Sequence, residues 1–135
     1  PNVAYNSATH PGGDGNYRGG YDNISSIAIG KNVLTVGATT DAVSGGLRNV
    51  ASASVLDFSS WGPTDDGRIK PDLVANGEDL YSSVATSNTA YDGTYSGTSM
   101  ATPSVAGSAA LLVQLYGQLF PGSAMRASTL KALLL

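Results

Sequence analysis

The 135-residue chain contains no cysteine. That excludes a disulfide framework and thiolate-based metal or redox chemistry. Charge is scarce: 13% of residues are charged, and the net charge is -3. There is no basic cluster, which argues against a nucleic-acid partner, and no acidic tail. No apolar run reaches the roughly 18 residues needed to span a bilayer. The most apolar stretch, residues 105–116, is broken only by Gly107, Ser108 and Gln114 and suits a buried core helix. Histidine and tryptophan occur once each, as His10 and Trp61. His10 opens His10-Pro11-Gly12-Gly13, which is turn chemistry and favours an exposed loop residue. Trp61 is expected to pack, since tryptophan is mostly buried with its N–H paired.

Glycine, by contrast, is abundant, with 17 copies. Together with many Ser, Thr and Asn residues, it indicates long tight loops over a compact α/β core. Residues 1–23 are dense in turn formers and read as loop. Within them, Asp14-x-Asn16-x-Arg18-Gly19 partly matches the start of an EF-hand. Arg18 and Ser25 stand where that loop needs oxygen ligands, the second a bidentate Glu, so the calcium reading fails on chemistry.

Residues 32–38 carry Val33, Leu34 and Val36 ahead of Gly37. Apolar or small on both faces, they predict a buried parallel strand. Residues 41–49 read as loop and residues 51–58 as a further strand. Asp65-Asp66-Gly67 marks a turn. Leu73-Val74-Ala75 and residues 80–84 predict two short strands, and residues 87–96 a polar loop. A helix is expected from Ser99 to about Gln118, with Ser99 as N-cap and Pro103 in the first turn. Apolar all round, it should be buried on several sides. Phe120-Pro121-Gly122 ends it, and residues 123–135 predict a second, amphipathic helix bearing Met125, Leu130, Leu133 and Leu134.

The stretch Gly97-Thr98-Ser99-Met100-Ala101-Thr102-Pro103 carries the chemistry. It feeds a serine into a helix start, where the first N–H groups lack intrahelical partners and carry the positive end of the dipole. A serine there can simply cap the helix, worth about 1 kcal/mol. It can also attack a carbonyl whose developing negative charge those donors stabilise. Gly97-x-Ser99-x-Ala101 lacks the final glycine of a lipase-type elbow. Ser128-Thr129-Leu130-Lys131 imitates the Ser-x-x-Lys of penicillin-binding proteins. Tyr21-Asp22-Asn23 precedes it, where that family has its second motif after, and no Lys-Thr-Gly exists.

Gly97 to Pro103 closely resembles the nucleophile segment of subtilisin-like serine peptidases. Three further segments resemble that family in the same order: Lys31-Asn32-Val33-Leu34-Thr35-Val36-Gly37-Ala38, Asp57-Phe58-Ser59-Ser60-Trp61-Gly62-Pro63, and Lys70-Pro71-Asp72-Leu73-Val74-Ala75. One departure is Ala75-Asn76-Gly77, where relatives usually read Ala-Pro-Gly. Asn tolerates positive φ and Pro does not, so the relatives' backbone is not assumed there.

The resemblance implies an α/β, three-layer subtilisin-like fold with a mainly parallel sheet, of which residues 1–135 would be the C-terminal portion. It implies a serine endopeptidase that forms an acyl-enzyme on Ser99, with Thr98 supporting the oxyanion. Its Asp, His-Gly-Thr-His and Ala-Gly-Asn segments are absent from the sequence, and Asn16 is a poor substitute for the oxyanion asparagine. The expected partners are a protein or peptide substrate and the N-terminal half of the same domain, without which the chain should be inert. No cofactor is expected. The resemblance leaves room for structural calcium at residues the sequence does not identify. Secretion or a cell-envelope location is implied by the family. The rival reading is a non-catalytic module of the same fold.

Overall fold

The computed structural model describes residues 24–135. His10 and the Asp14-to-Gly19 segment lie outside the described residues.

The described elements run β1 (Val36–Thr39), β2 (Val43–Ser44), β3 (Leu47–Arg48), a 3-10 turn (Val50–Ser52), β4 (Leu73–Asn76), β5 (Leu80–Ser83), β6 (Tyr91–Tyr95), α1 (Thr98–Leu119) and α2 (Ala127–Leu134). The strands form three pairs: β1 with β4 in parallel, and β2 with β3 and β5 with β6 antiparallel. The fold is therefore mixed α/β. A mainly parallel sheet is not what the described residues form, since one pair of the three is parallel.

The β1–β4 pair is the base on which α1 rests. Gly37, Ala38 and Thr39 are buried, and they are small because their neighbours approach closely. A Cβ on Gly37 would lie 2.8 Å from Pro71 Cγ and 3.0 Å from Ser59 Oγ. Ser59, only 1% exposed, accepts the Ala38 N–H at 2.9 Å. The Phe58-Ser59-Ser60 segment thus satisfies a backbone donor that the parallel pair leaves open.

Differences from expectation have local causes. The segment at 51–58 is a 3-10 turn and a single bridge between Thr39 and Val55. The loop expected at 41–49 holds the β2–β3 hairpin, turned by Gly45 and Gly46 at φ 60° and 77°. The polar loop expected at 87–96 contains β6.

The helix expected from Ser99 to Gln118 runs from Thr98 to Leu119 with Gly97 as N-cap, so Ser99 lies inside its first turn. Pro103 accordingly falls in the second turn, and it has no N–H to give the Ser99 carbonyl four residues back. Burial on several sides is not observed. Ala101 and Val105 are the buried residues of α1, while Leu111 and Leu119 are 67% and 63% exposed. Its first turns cover β1 and β4 and Ala109 faces α2 across a shallow groove, while the side chains of Leu111, Val113, Leu115 and Leu119 stay exposed.

The second helix is held by charge. Asp72 accepts the Thr35 N–H at 2.7 Å, Lys70 Nζ at 2.5 Å and Lys131 Nζ at 3.2 Å. Lys70, with a side chain 3% exposed, also donates to the Val33 carbonyl at 2.8 Å. Lys131 comes from α2, so this cluster ties α2 to the approach to β1. Burial pushes the Asp72 carboxyl upward. Hydrogen bonds from Lys70, the Thr35 N–H and Lys131 outweigh it and leave the pKa below its ordinary value. Lys131 is therefore an ion-pair partner, which leaves the Ser128-x-x-Lys131 reading without its base.

Candidate active site

The site is built where β4 ends and α1 begins. After Asn76 the chain turns: Asn76 Oδ1 accepts the Glu78 N–H at 3.0 Å, a side-chain substitute for a backbone turn. Positive φ among the described non-glycine residues falls on Asp79, at 48°, rather than on Asn76. The Gly77 N–H donates to the Thr39 carbonyl at 2.9 Å, and the Gly97 N–H donates to the Gly77 carbonyl at 2.7 Å. Gly77 thus links the end of β1 to the start of α1.

Gly97 adopts φ 152° and ψ 163°, a region essentially reserved for glycine. Its carbonyl accepts the Met100 N–H at 3.0 Å and the Ala101 N–H at 3.3 Å. No side chain caps the helix. Among the described residues, the N–H groups of Thr98 and Ser99 have no acceptor. The Ser99 hydroxyl is exposed and likewise has no hydrogen-bond partner there. Serine as a mere cap is therefore not what the structure shows. The cap position is Gly97, and Ser99 presents an unengaged hydroxyl beside two unengaged donors.

Deeper in the helix, hydroxyls are engaged. Thr102 Oγ1 donates to the Thr98 carbonyl at 2.8 Å, and Ser108 Oγ to the Ser104 carbonyl at 3.0 Å. Ser99 differs because four residues before it lies the strand, not a helical carbonyl.

The two residues singled out from the sequence face different spaces. Ser99 lines an open groove of about 600 Å³ with Tyr81, Val84, Tyr95, Met100 and Pro103. Thr98 lines a smaller cleft of about 160 Å³ with Ile24, Val36 and Phe58. Sequence reasoning missed the β5–β6 side of the groove. The Tyr81 and Tyr91 rings stack with centroids 5.6 Å apart, and Gly93 leaves room for them: a Cβ there would lie 3.2 Å from Tyr81 Cδ2. It also missed Ser96 and Asp79, which hydrogen-bond each other across the site's edge. The turn residues Asn76-Gly77 at the end of β4 were the available signal. Among the described residues no group of three or more His, Asp or Glu side chains is arranged to hold a metal.

Comparison with known proteins identifies the family. The model of the Subtilase family (Peptidase_S8) matches residues 6–135. The C5a peptidase of Streptococcus pyogenes serotype M3 is 42% identical over 91 residues, which is 67% of this chain and 7% of that protein. The serine protease AprX of Bacillus subtilis is 39% identical over 113 residues, covering 73% of this chain and 24% of AprX. Among solved structures, the Clostridium perfringens CspB protease superposes with a TM-score of 0.64 at 31% identity, over 83% of this chain and 22% of that one. The chain spans a quarter or less of the length of each of these relatives.

Proposed function

The chain belongs to the subtilase family, and on that premise we propose that it is the nucleophile-bearing, C-terminal portion of a serine endopeptidase domain. The observation that carries the reading is the unengaged Ser99 hydroxyl beside the free Thr98 and Ser99 N–H groups at the start of α1. The complete domain would be three-layered. Its preceding half would cover the exposed apolar face of α1 around Leu111 and Leu119 and bring the Asp and His-Gly-Thr-His segments that the sequence lacks. The domain's substrate would be a protein or peptide, and its place of work the secreted or cell-envelope setting implied by the family. No described helix is long and apolar enough to cross a membrane.

Ser99 Oγ attacks the scissile carbonyl carbon while its proton passes to the histidine of the preceding half. The carbonyl oxygen becomes an oxyanion, and the Ser99 N–H at the helix start donates to it, with the free Thr98 N–H, rather than the side chain that lines the other cleft, in support. Collapse breaks the C–N bond, and the departing amine takes the proton from the histidine. Water then hydrolyses the acyl ester on Ser99 by the same proton route. The base is indispensable: in subtilisin, loss of the serine or histidine costs about 10⁶ in kcat. Residues 1–135 alone are therefore expected to be close to inert.

Hydrolysis of a denatured protein substrate by the full-length protein tests the reading. Cleavage that disappears in Ser99→Ala supports it. A folded full-length protein that cleaves nothing points instead to a non-catalytic module of the same fold.

A further inference from the structure

We propose that Asp79 and Ser96 form a positioning pair that holds the Ser99 nucleophile in place, an inference that rests on the reading of Ser99 given above. The two residues exchange hydrogen bonds. The Asp79 N–H donates to Ser96 Oγ at 2.9 Å, and the Ser96 hydroxyl donates to Asp79 Oδ1 at 3.2 Å. One residue lies in the loop after β4, the other immediately before the N-cap of α1. The pair is thus a second tie between the same two loops, beside the bond from the Gly97 N–H to the Gly77 carbonyl.

This tie matters because the start of α1 lacks the usual one. Its N-cap is a glycine with no side-chain hydrogen bond, so nothing within the helix itself fixes the direction in which the first turn leaves the loop. The clasp supplies that constraint from outside. Gly97 is anchored through its N–H, and Ser96 through its side chain, just ahead of the first-turn residues Thr98 and Ser99.

Two features show that the loop is shaped for the contact. Asn76 Oδ1 takes the Glu78 N–H and turns the chain. Asp79 then adopts φ 48°, a left-handed conformation that Asp and Asn visit more readily than other side-chain-bearing residues. A residue held in that conformation and bonded to Ser96, three positions ahead of the candidate nucleophile, is where built-in strain is expected to serve geometry. Neither side chain reaches the reacting atoms in this role. Both act through the backbone that carries Ser99.

Attack by a serine depends steeply on geometry, and a misplacement of about 1 Å can cost about 10²-fold in rate. In the full-length protein, Ser96→Ala removes both bonds without changing the backbone requirement. It should lower kcat for peptide hydrolysis, and the rate of fluorophosphonate labelling of Ser99, by about tenfold or more while KM stays within about twofold. Asp79→Asn keeps the N–H, an acceptor oxygen and tolerance of positive φ, and should stay within about threefold of wild type. Amide exchange at residues 97–99, read on the same proteins, should speed up in Ser96→Ala and not in Asp79→Asn.

A folded Ser96→Ala protein with wild-type kcat and unchanged exchange overturns the proposal, as does an effect confined to KM. If Ser96→Ala does not fold, Ser96→Cys keeps the side chain's size but only a weak donor and acceptor for both bonds, and wild-type kcat there overturns it equally. A full-length wild type that neither hydrolyses nor labels, yet whose residues 97–99 loosen in Ser96→Ala, shows the failure to lie in the reading of Ser99. The tie then exists with no nucleophile to position, which also overturns the proposal.

Discussion

The Gly97 N–H donates a 2.7 Å hydrogen bond to the Gly77 carbonyl, and Gly77 can stand there only without a side chain. A Cβ on Gly77 would lie 2.6 Å from the Ala38 Cβ and 2.8 Å from the Gly97 carbonyl oxygen. Neither atom can swing away, since one belongs to the fully buried centre of β1 and the other to the helix cap. Gly77→Ala should therefore destabilise the protein by about 1–3 kcal/mol, the usual cost of overpacking a tight site. Urea unfolding of the full-length protein measures it. A change below about 0.5 kcal/mol would mean that β1 and the cap are not wedged against Gly77.

Gly97→Ala attacks the same link differently. At φ 152° and ψ 163°, a side chain is strained whatever space surrounds it, by about 1–3 kcal/mol. A protein that relieves this strain must rotate the backbone just ahead of Ser99. The expected result is a loss of hydrolytic rate larger than the loss of stability alone explains. Measuring kcat below the melting temperature, where the variant is folded, separates the two, and wild-type kcat there contradicts the account.

How much of this was legible beforehand depends on where the information lies. The start of α1 was readable because Gly97 to Pro103 combines small residues, a serine and an apolar run. β1 and β4 were readable because Val36 and Leu73-Val74-Ala75 sit beside small residues on both faces. The helix cap was misplaced by two residues because serine is a better cap than glycine in isolation. The closeness of Gly97 to Gly77 decides otherwise, and it is a tertiary fact. β6 was hidden by Asp92 and Gly93, which are poor strand formers. The alternation of Tyr91, Gly93 and Tyr95 was the signal, and the Tyr81–Tyr91 stack is its consequence. The Gly45-Gly46 pair between short β-formers announced the β2–β3 hairpin and could have been read. Burial of Lys70 could not, because lysine is almost never buried unless paired, and its pairing needs Asp72 and Val33 in place.

That cluster gives a contrast between two lysines. Asp72→Ala leaves the Lys70 ammonium, 3% exposed, with the Val33 carbonyl as its remaining described partner. An unpaired buried charge costs about 3–5 kcal/mol. Lys131 is 27% exposed, and Lys131→Met should cost about 1 kcal/mol or less. Denaturant titration of both variants checks the order, and equal losses would contradict it.

The same carboxylate sets a pH dependence. The Asp72 pKa is lowered in the folded protein from an ordinary 3.8. Its stabilisation is therefore complete above about pH 4, the unfolded value, and is lost as pH falls through the lower folded value. Asp66 behaves alike at the surface: hydrogen bonds from Thr64 and Arg68 lower it to about 2, so its window runs from about 3.8 down to about 2. The melting temperature should fall through this acid range in wild type. The difference between wild type and Asp72→Asn should shrink as pH drops, and a difference that persists at the acid end would contradict the assignment.

The most direct measurement is fluorophosphonate labelling followed by peptide mapping, on the full-length protein, on its Ser99→Ala variant and on residues 1–135 alone. One adduct is expected on Ser99 in the full-length protein, none in Ser99→Ala, and none in the isolated chain, which has the hydroxyl and its neighbouring donors but not the His-Gly-Thr-His segment of the proposed base. Labelling at another residue, no labelling of the folded full-length protein, or rapid labelling of the isolated chain would contradict that expectation.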